Sequence, residues 1–221
     1  MREPALLLFD ALSPAPRTVR MYLAEKQLVL PTQQIDVFSG ENRAPAYLAL
    51  NPAGQTPALQ LANGQTLGEA IAIMEYLEEL HPTPPLIGST AEERAQTRQW
   101  QRRAELNITE FIHNAYHYAE GLKRFEQRIP VAPEAAPGLK CIAQDRIAWL
   151  DAMLGEHPYL AGDRFTVADI WLYVWLDFAD SVGQPFDRTL AHLPHWFDRV
   201  AARPSAAASL HPNCQVGGVR G

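Results

Sequence analysis

The sequence predicts an α/β layer followed by an all-helical unit, and three observations carry that division. Strand-like and helix-like segments alternate over residues 1–81 and close with a hairpin and a helix. His81-Pro82-Thr83-Pro84-Pro85 then breaks the helix, so residues 82–89 read as a linker. From 90 to 210 apolar residues recur only at helical spacing. Residues 211–221, with Gly217-Gly218 and few apolar side chains, read as a mobile tail.

The elements follow in order. Leu6 to Phe9 forms a short apolar strand, and Ser13-Pro14-Ala15-Pro16 turns into a helix running from about Arg17 to Gln27. A second strand closes at Ile35 to Val37, ahead of the polar bend Ser39-Gly40. Pro57 stands where a third strand should already have begun. Proline donates nothing to a sheet ladder, which places it at a strand start, an edge or a cis turn. Asn63-Gly64 signals a tight hairpin. Glu69 puts a carboxylate at the first turn of a helix that is apolar at Ile73, Met74, Leu77 and Leu80.

Beyond the linker, Thr90-x-x-Glu93 is a capping box opening a helix through Trp100, Asn107, Phe111 and Tyr118. A helix reaching about residue 127 exceeds ordinary length, and a kink is expected. Leu139, Ile142, Trp149, Leu150 and Met153 mark the next helix. Thr166-Val167-Ala168-Asp169 caps a further one that buries Val167, Ile170, Trp171, Val174 and Trp175. That cap is read as structural, with no catalytic role.

Composition narrows the function. The 221 residues are 47% hydrophobic and 20% charged, as in ordinary globular proteins. No run of about eighteen apolar residues exists, so no membrane span is expected. The apolar amino end is interrupted by Asp10 too soon for a signal peptide. A net charge of -6 without a basic run argues against nucleic acid as a partner. Cys141 and Cys214 stand far apart with no Cys-x-x-Cys, which fits a reduced, cytoplasmic protein. His113 and His117 share a helix face, but no third ligand accompanies them and no metal is expected.

Asn51-Pro52-Ala53-Gly54-Gln55-Thr56-Pro57-Ala58-Leu59, followed by Leu67-Gly68-Glu69-Ala70-Ile71-Ala72-Ile73, resembles the glutathione-binding half of the glutathione transferases. The likeness extends over nearly the whole chain. It implies a thioredoxin-like domain at 1–81, an all-α domain at 90–210 and glutathione as co-substrate. It also implies a cis Thr56–Pro57 peptide, Thr56 backbone contacts to the cysteinyl group of glutathione, and Glu69 on the γ-glutamyl amine. Ser13 with Arg17 makes a Ser-x-x-x-Arg pattern similar to that of the serine-type enzymes. The chemistry agrees: a thiol of pKa near 8.5 needs stabilisation as thiolate, and a hydroxyl donor at a helix N-terminus supplies it.

One departure stands out. Many relatives carry Glu-Ser where this chain has Glu69-Ala70, so a hydroxyl to the γ-glutamyl carboxylate is replaced by a backbone N–H. A hydrogen bond to a charged group contributes about 1.5–3 kcal/mol, so glutathione is expected to bind more weakly or to be compensated by Gln55 or Arg43. Arg43 is the candidate for the glycyl carboxylate. Asn107, Phe111, His113, Tyr116 and His117 are candidates for a second-substrate pocket, suited to an aromatic electrophile or a hydroperoxide.

The resemblance further implies a homodimer. It leaves conjugation and peroxide reduction both open, against an alternative of a non-catalytic binding or regulatory protein on the same fold. Isomerisation of a maleylacetoacetate-like substrate is disfavoured, because no Ser-Ser-Cys run lies near Ser13.

Overall fold

The computed structural model describes residues 6–214 and 219–221, and the chain divides into two compact units. The first comprises Met1–Pro85 with Pro204–Gly221, the second Leu86–Arg203.

The first unit is built on a four-stranded sheet of order β2-β1-β3-β4. Strand β1 (Leu7–Asp10) pairs parallel with β2 (Thr32–Gln34) and antiparallel with β3 (Ala58–Gln60), which pairs antiparallel with β4 (Thr66–Leu67). Gly64, at φ 83°, turns the β3–β4 hairpin, as Asn63-Gly64 predicts. The second strand lies earlier than expected. Thr32, Gln33 and Gln34 form an exposed polar edge, while Ile35 and Val37 pack against Phe9, Tyr47 and Ala58 just after the strand ends. Their apolar character marks core contact rather than strand membership.

Helix α1 (Pro14–Lys26) lies beside α3 (Ala70–Leu80), and α2 (Pro45–Leu50) follows a short 3-10 turn at Glu41–Arg43. Buried polar groups tie α1 to α3. Lys26 Nζ sits 2.6 Å from a Glu78 carboxylate oxygen that also accepts the Tyr22 hydroxyl at 2.8 Å. Lys26 donates in addition to the carbonyls of His81 and Pro84, which pins the chain just past α3. Breaking such a pair would strand a buried charge.

In the second unit the long helix begins as predicted, with Thr90 Oγ1 accepting from the Glu93 N–H at 3.2 Å. The Glu93 carboxylate accepts the Ser89 N–H at 2.7 Å. Helix α4 (Ala91–Ala104) passes through one π-helical turn, Glu105–Thr109, into α5 (Glu110–Tyr118). The expected kink is therefore this wide turn, a feature common near functional sites. The helix stops before 127, because the chain folds over Tyr116 at Gly121, where a Cβ would meet the tyrosine ring at 2.9 Å.

After α6 (Leu122–Phe125) come α7 (Ala136–Leu154), α8 (Val167–Ser181) and α9 (Leu193–Ala201). Helix α8 is the axis of the unit, with every residue from 167 to 179 buried. The fully buried Asp169 completes its capping box. One oxygen accepts from the Thr166 N–H and hydroxyl; the other accepts from the Leu160 N–H at 2.9 Å and Trp196 Nε1 at 2.8 Å. Burial pushes this carboxyl upward and the hydrogen bonds oppose it. No described helix is long and apolar enough to cross a membrane.

The last helix, α10 (Pro204–Ala208), belongs to the first unit and packs on α1. Ser205 donates to the Glu25 carboxylate, Arg17 Nε to Ser209 Oγ at 3.2 Å, and Arg20 Nε to the Ser209 carbonyl at 2.8 Å. These contacts bring α10 and Ser209 back to the first unit. Of the tail expected to be mobile, residues 211–214 and 219–221 are described and held against it; 215–218, with Gly217-Gly218, lie outside the described residues.

Candidate functional site

Sheet register brings distant residues to one edge. Asp10 and Gln34 pair where the parallel strands β1 and β2 both end. Ala58, the first residue of β3, faces Phe9, so Thr56 and Pro57 arrive at that same edge. Leu67 faces Leu59, and Leu59 faces Leu8, so β4 also runs toward it and delivers Glu69 and Ala70. Ser13, Gln55, Thr56, Pro57 and Glu69 therefore lie on loops, and Ala70 at a helix start, at one end of the sheet; Arg43 ends the 3-10 turn and reaches the Gln55 loop through the Ala53 carbonyl.

Ser13 is the N-cap of α1, in extended conformation at φ -165° and ψ 154°. Its hydroxyl makes no capping hydrogen bond, and the residue is partly exposed. Pro14 and Pro16 have no N–H, and the Arg17 N–H bonds the Ser13 carbonyl at 3.2 Å. The donors left at this helix start are the Ser13 hydroxyl and the Ala15 N–H. Thr18, the neighbouring hydroxyl, already donates to the Ala15 carbonyl at 2.7 Å. The helix dipole remains, but its backbone donors are depleted, which concentrates anion stabilisation on Ser13.

The loop before Pro57 is braced from several sides. Asn42 Nδ2 donates to the Gly54 carbonyl at 2.7 Å, and the Gln55 carbonyl accepts from the Tyr47 hydroxyl at 2.7 Å and Asn51 Nδ2 at 2.8 Å. Gly54 sits at φ 63°, and a Cβ there would meet Arg43 Nη1 at 2.9 Å and the Asn42 carbonyl at 3.0 Å. The exposed Arg43 spends one N–H on the Ala53 carbonyl at 3.3 Å. It supports this loop whatever else it binds. The Thr56–Pro57 peptide is cis.

Glu69 is the N-cap of α3 and lies at φ 62°, a left-handed conformation that costs a non-glycine residue about 1–3 kcal/mol. Its carboxylate is exposed and makes no cap bond. Helix α3 carries no proline in its first turn, so the N–H groups of Ala70, Ile71 and Ala72 open toward an anion. The two helix starts on this edge thus differ: α1 offers a hydroxyl, α3 a set of backbone donors.

In the helical unit, His113 and His117 are brought together, with ring centroids 4.0 Å apart. His113 also lies 5.0 Å from Trp175, and His117 lies 3.9 Å from Phe125. Burial, with His117 beside it, pulls His113 down to about 3; burial alone pulls His117 to about 4. Both imidazoles are neutral near pH 7. Trp175 Nε1 is buried with no partner among the described residues. Tyr116 is core, packed edge-on against Phe125 and Phe178. Asn107 donates to the Arg103 carbonyl one turn back, and Phe111 is partly exposed without a ring partner among the described residues. Of the five expected pocket residues, His113, Tyr116 and His117 join one ring cluster, with the Tyr116 and His117 centroids 6.2 Å apart. No group of three or more His, Cys, Asp or Glu side chains among the described residues could hold a metal ion.

Sequence reasoning missed the bracing residues Asn42 and Tyr47, which carry no local signal. It also missed the packing of Gly221 against Ser13, because the tail's polar, glycine-containing composition points away from burial.

Residues 12–80 match the family described as Glutathione S-transferase, N-terminal domain, and residues 144–204 match Glutathione S-transferase, C-terminal domain. Glutathione S-transferase 2 of Saccharomyces cerevisiae is 31% identical over 212 residues, covering 95% of this chain and 91% of that protein. The chain belongs to the glutathione S-transferase family. A crystal structure of a glutathione S-transferase domain-containing protein from Marinobacter aquaeolei superposes with a TM-score of 0.84 at 36% identity, covering 90% of this chain and 98% of that one. A maleylacetoacetate isomerase of Pseudomonas aeruginosa is 32% identical over 196 residues, covering 88% of this chain and 89% of the isomerase.

Proposed function

We propose that this family member is a serine-type transferase that activates the thiol of glutathione for attack on an electrophile or an organic hydroperoxide. The observation carrying this reading is the Ser13 hydroxyl, uncommitted to any cap, on the sheet edge that also receives the Thr56–Pro57 turn and the start of α3. Ser13 donates to the sulfur, which favours the thiolate over the thiol, and the proton leaves to water. The Thr56 backbone engages the cysteinyl peptide. Glu69 takes the γ-glutamyl amine, and the open N–H groups of α3 take its carboxylate in place of the hydroxyl that Ala70 lacks. Arg43 meets the glycyl carboxylate, and Gln55 adds binding that offsets the hydroxyl Ala70 lacks.

For the second substrate, the neutral His113–His117 pair and the Trp175 N–H, unpaired among the described residues, suit a moderately polar aromatic or peroxide group. The protein acts as a cytoplasmic homodimer, by likeness to the family. Sedimentation of a single species near 25 kDa at micromolar concentration would overturn the dimer. The missing Ser-Ser-Cys run at Ser13 speaks against carrying over the isomerase activity.

The test is retention on immobilised glutathione, followed by turnover with cumene hydroperoxide and a chlorinated nitrobenzene. Ser13→Ala should lower turnover about ten- to a thousand-fold with the fold intact, the effect of losing one preorganised donor. Full activity in that variant would refute the assignment. Binding without turnover in either assay would favour the non-catalytic reading.

A further inference from the structure

The histidine pair of the helical unit stands beside a tryptophan whose polar edge is unspent. Trp175 is 4% exposed, and its Nε1–H has no hydrogen-bond partner among the described residues. A buried indole N–H ordinarily meets an acceptor, and leaving it unmet is costly. The tryptophan one turn earlier shows the usual arrangement, with Trp171 Nε1 donating to Thr109 Oγ1 at 3.0 Å. Trp175 has His113 beside it instead, the ring centroids 5.0 Å apart.

Neither His113 nor His117 is hydrogen-bonded by another described residue. Burial keeps both imidazoles neutral near pH 7, so each offers one N–H and one bare nitrogen. The surroundings are aromatic: Phe125 lies 3.9 Å from His117, and Phe178 lies 5.8 Å from Trp175 and 5.1 Å from Tyr116. The Tyr116 hydroxyl is already engaged by Arg124 Nη1 at 3.3 Å. All of these rings belong to the second unit, and His113 and Phe125 are partly exposed, so the cluster reaches the surface.

We propose that this cluster binds a phenol-type hydroxyl, whose oxygen takes the Trp175 N–H and whose proton goes to an imidazole nitrogen of the histidine pair. The proposal rests on the second-substrate reading given above and narrows it to aromatic molecules that carry a hydroxyl. A hydroxyl has one donor proton and two acceptor lone pairs. The cluster holds the complement, one donor-only N–H and imidazoles that both give and take. A carboxylate would place a charge among neutral rings, which costs far more than burying a hydroxyl. A hydrocarbon would leave the Trp175 N–H unmet. The ring of the ligand meets aromatic side chains, where offset or edge-on packing is favoured.

The test measures binding without turnover, which separates this site from the transferase reading. Calorimetry of the full chain with 4-methylphenol and with toluene compares a ring that carries a hydroxyl with one that does not. The native chain should bind 4-methylphenol about ten-fold more tightly. Trp175→Phe keeps an aromatic ring, removes the N–H and should erase most of that preference. Trp171→Phe removes an N–H already spent on Thr109 and should leave the preference in place. The comparison in the native chain stands even if a variant fails to fold. Equal native affinities, no binding of 4-methylphenol, or a preference that survives Trp175→Phe would overturn the proposal. The stated preference in a chain that turns over neither electrophile nor hydroperoxide with glutathione would support the site while refuting the transferase reading.

Discussion

Replacing the His113–His117 pair by phenylalanine should flatten the pH dependence of stability of the helical unit. In the folded protein His113 and His117 titrate at about 3 and about 4, so both stay neutral down to pH 5.5. In the unfolded chain an imidazole of pKa about 6.5 is about one-tenth protonated at pH 7.5 and about nine-tenths at pH 5.5. The unfolded state therefore binds more protons, and stability falls as pH falls. The contribution is fully present above about pH 6.5 and is lost progressively toward the folded values. Between pH 7.5 and 5.5 each ring costs about 1.3 kcal/mol, or about 2–3 kcal/mol for the pair. For a chain of this length that lowers the unfolding midpoint by about 5–10 °C. The assay is thermal unfolding at the two pH values for the native chain and for His113→Phe/His117→Phe. The native chain should show the larger drop, the difference being the contribution of the pair. The downward-shifted His211 acts in the same direction but is common to both proteins. Equal drops would refute the reasoning, as would ring resonances of the folded protein titrating near 6.5.

Two further substitutions test the scaffold and the site. Ala70→Ser restores a hydroxyl at the start of α3 and should tighten glutathione binding about ten-fold by calorimetry; unchanged affinity would mean that the γ-glutamyl carboxylate is already satisfied. Asp169→Ala leaves the Leu160 and Trp196 N–H groups buried without acceptors and should destabilise the helical unit by about 3–5 kcal/mol in denaturant unfolding. A loss below about 1 kcal/mol would show that water replaces the carboxylate.

Local sequence chemistry determined much of this protein. Proline in His81-Pro82-Thr83-Pro84-Pro85 cannot extend a helix, Asn63-Gly64 accepts a tight turn, and Thr90 and Thr166 supply hydroxyls where helices need them. Those preferences act within a few residues, so the elements were legible, and the motif around Thr56–Pro57 and Glu69 marked the candidate glutathione site. Strand pairing decided that Ser13, Thr56 and Ala70 share one edge, because register depends on partners tens of residues away. Packing decided the rest. Ile35 and Val37 serve the core rather than a strand, and Tyr116 fills the space beside Gly121 and Phe178. The tail was the least legible segment, since its composition promises solvent. Arg17, Arg20 and Gln34, near the start of the chain, present the hydrogen-bonding groups that hold it, and only folding brings those groups within reach of Ser209, His211 and Arg220.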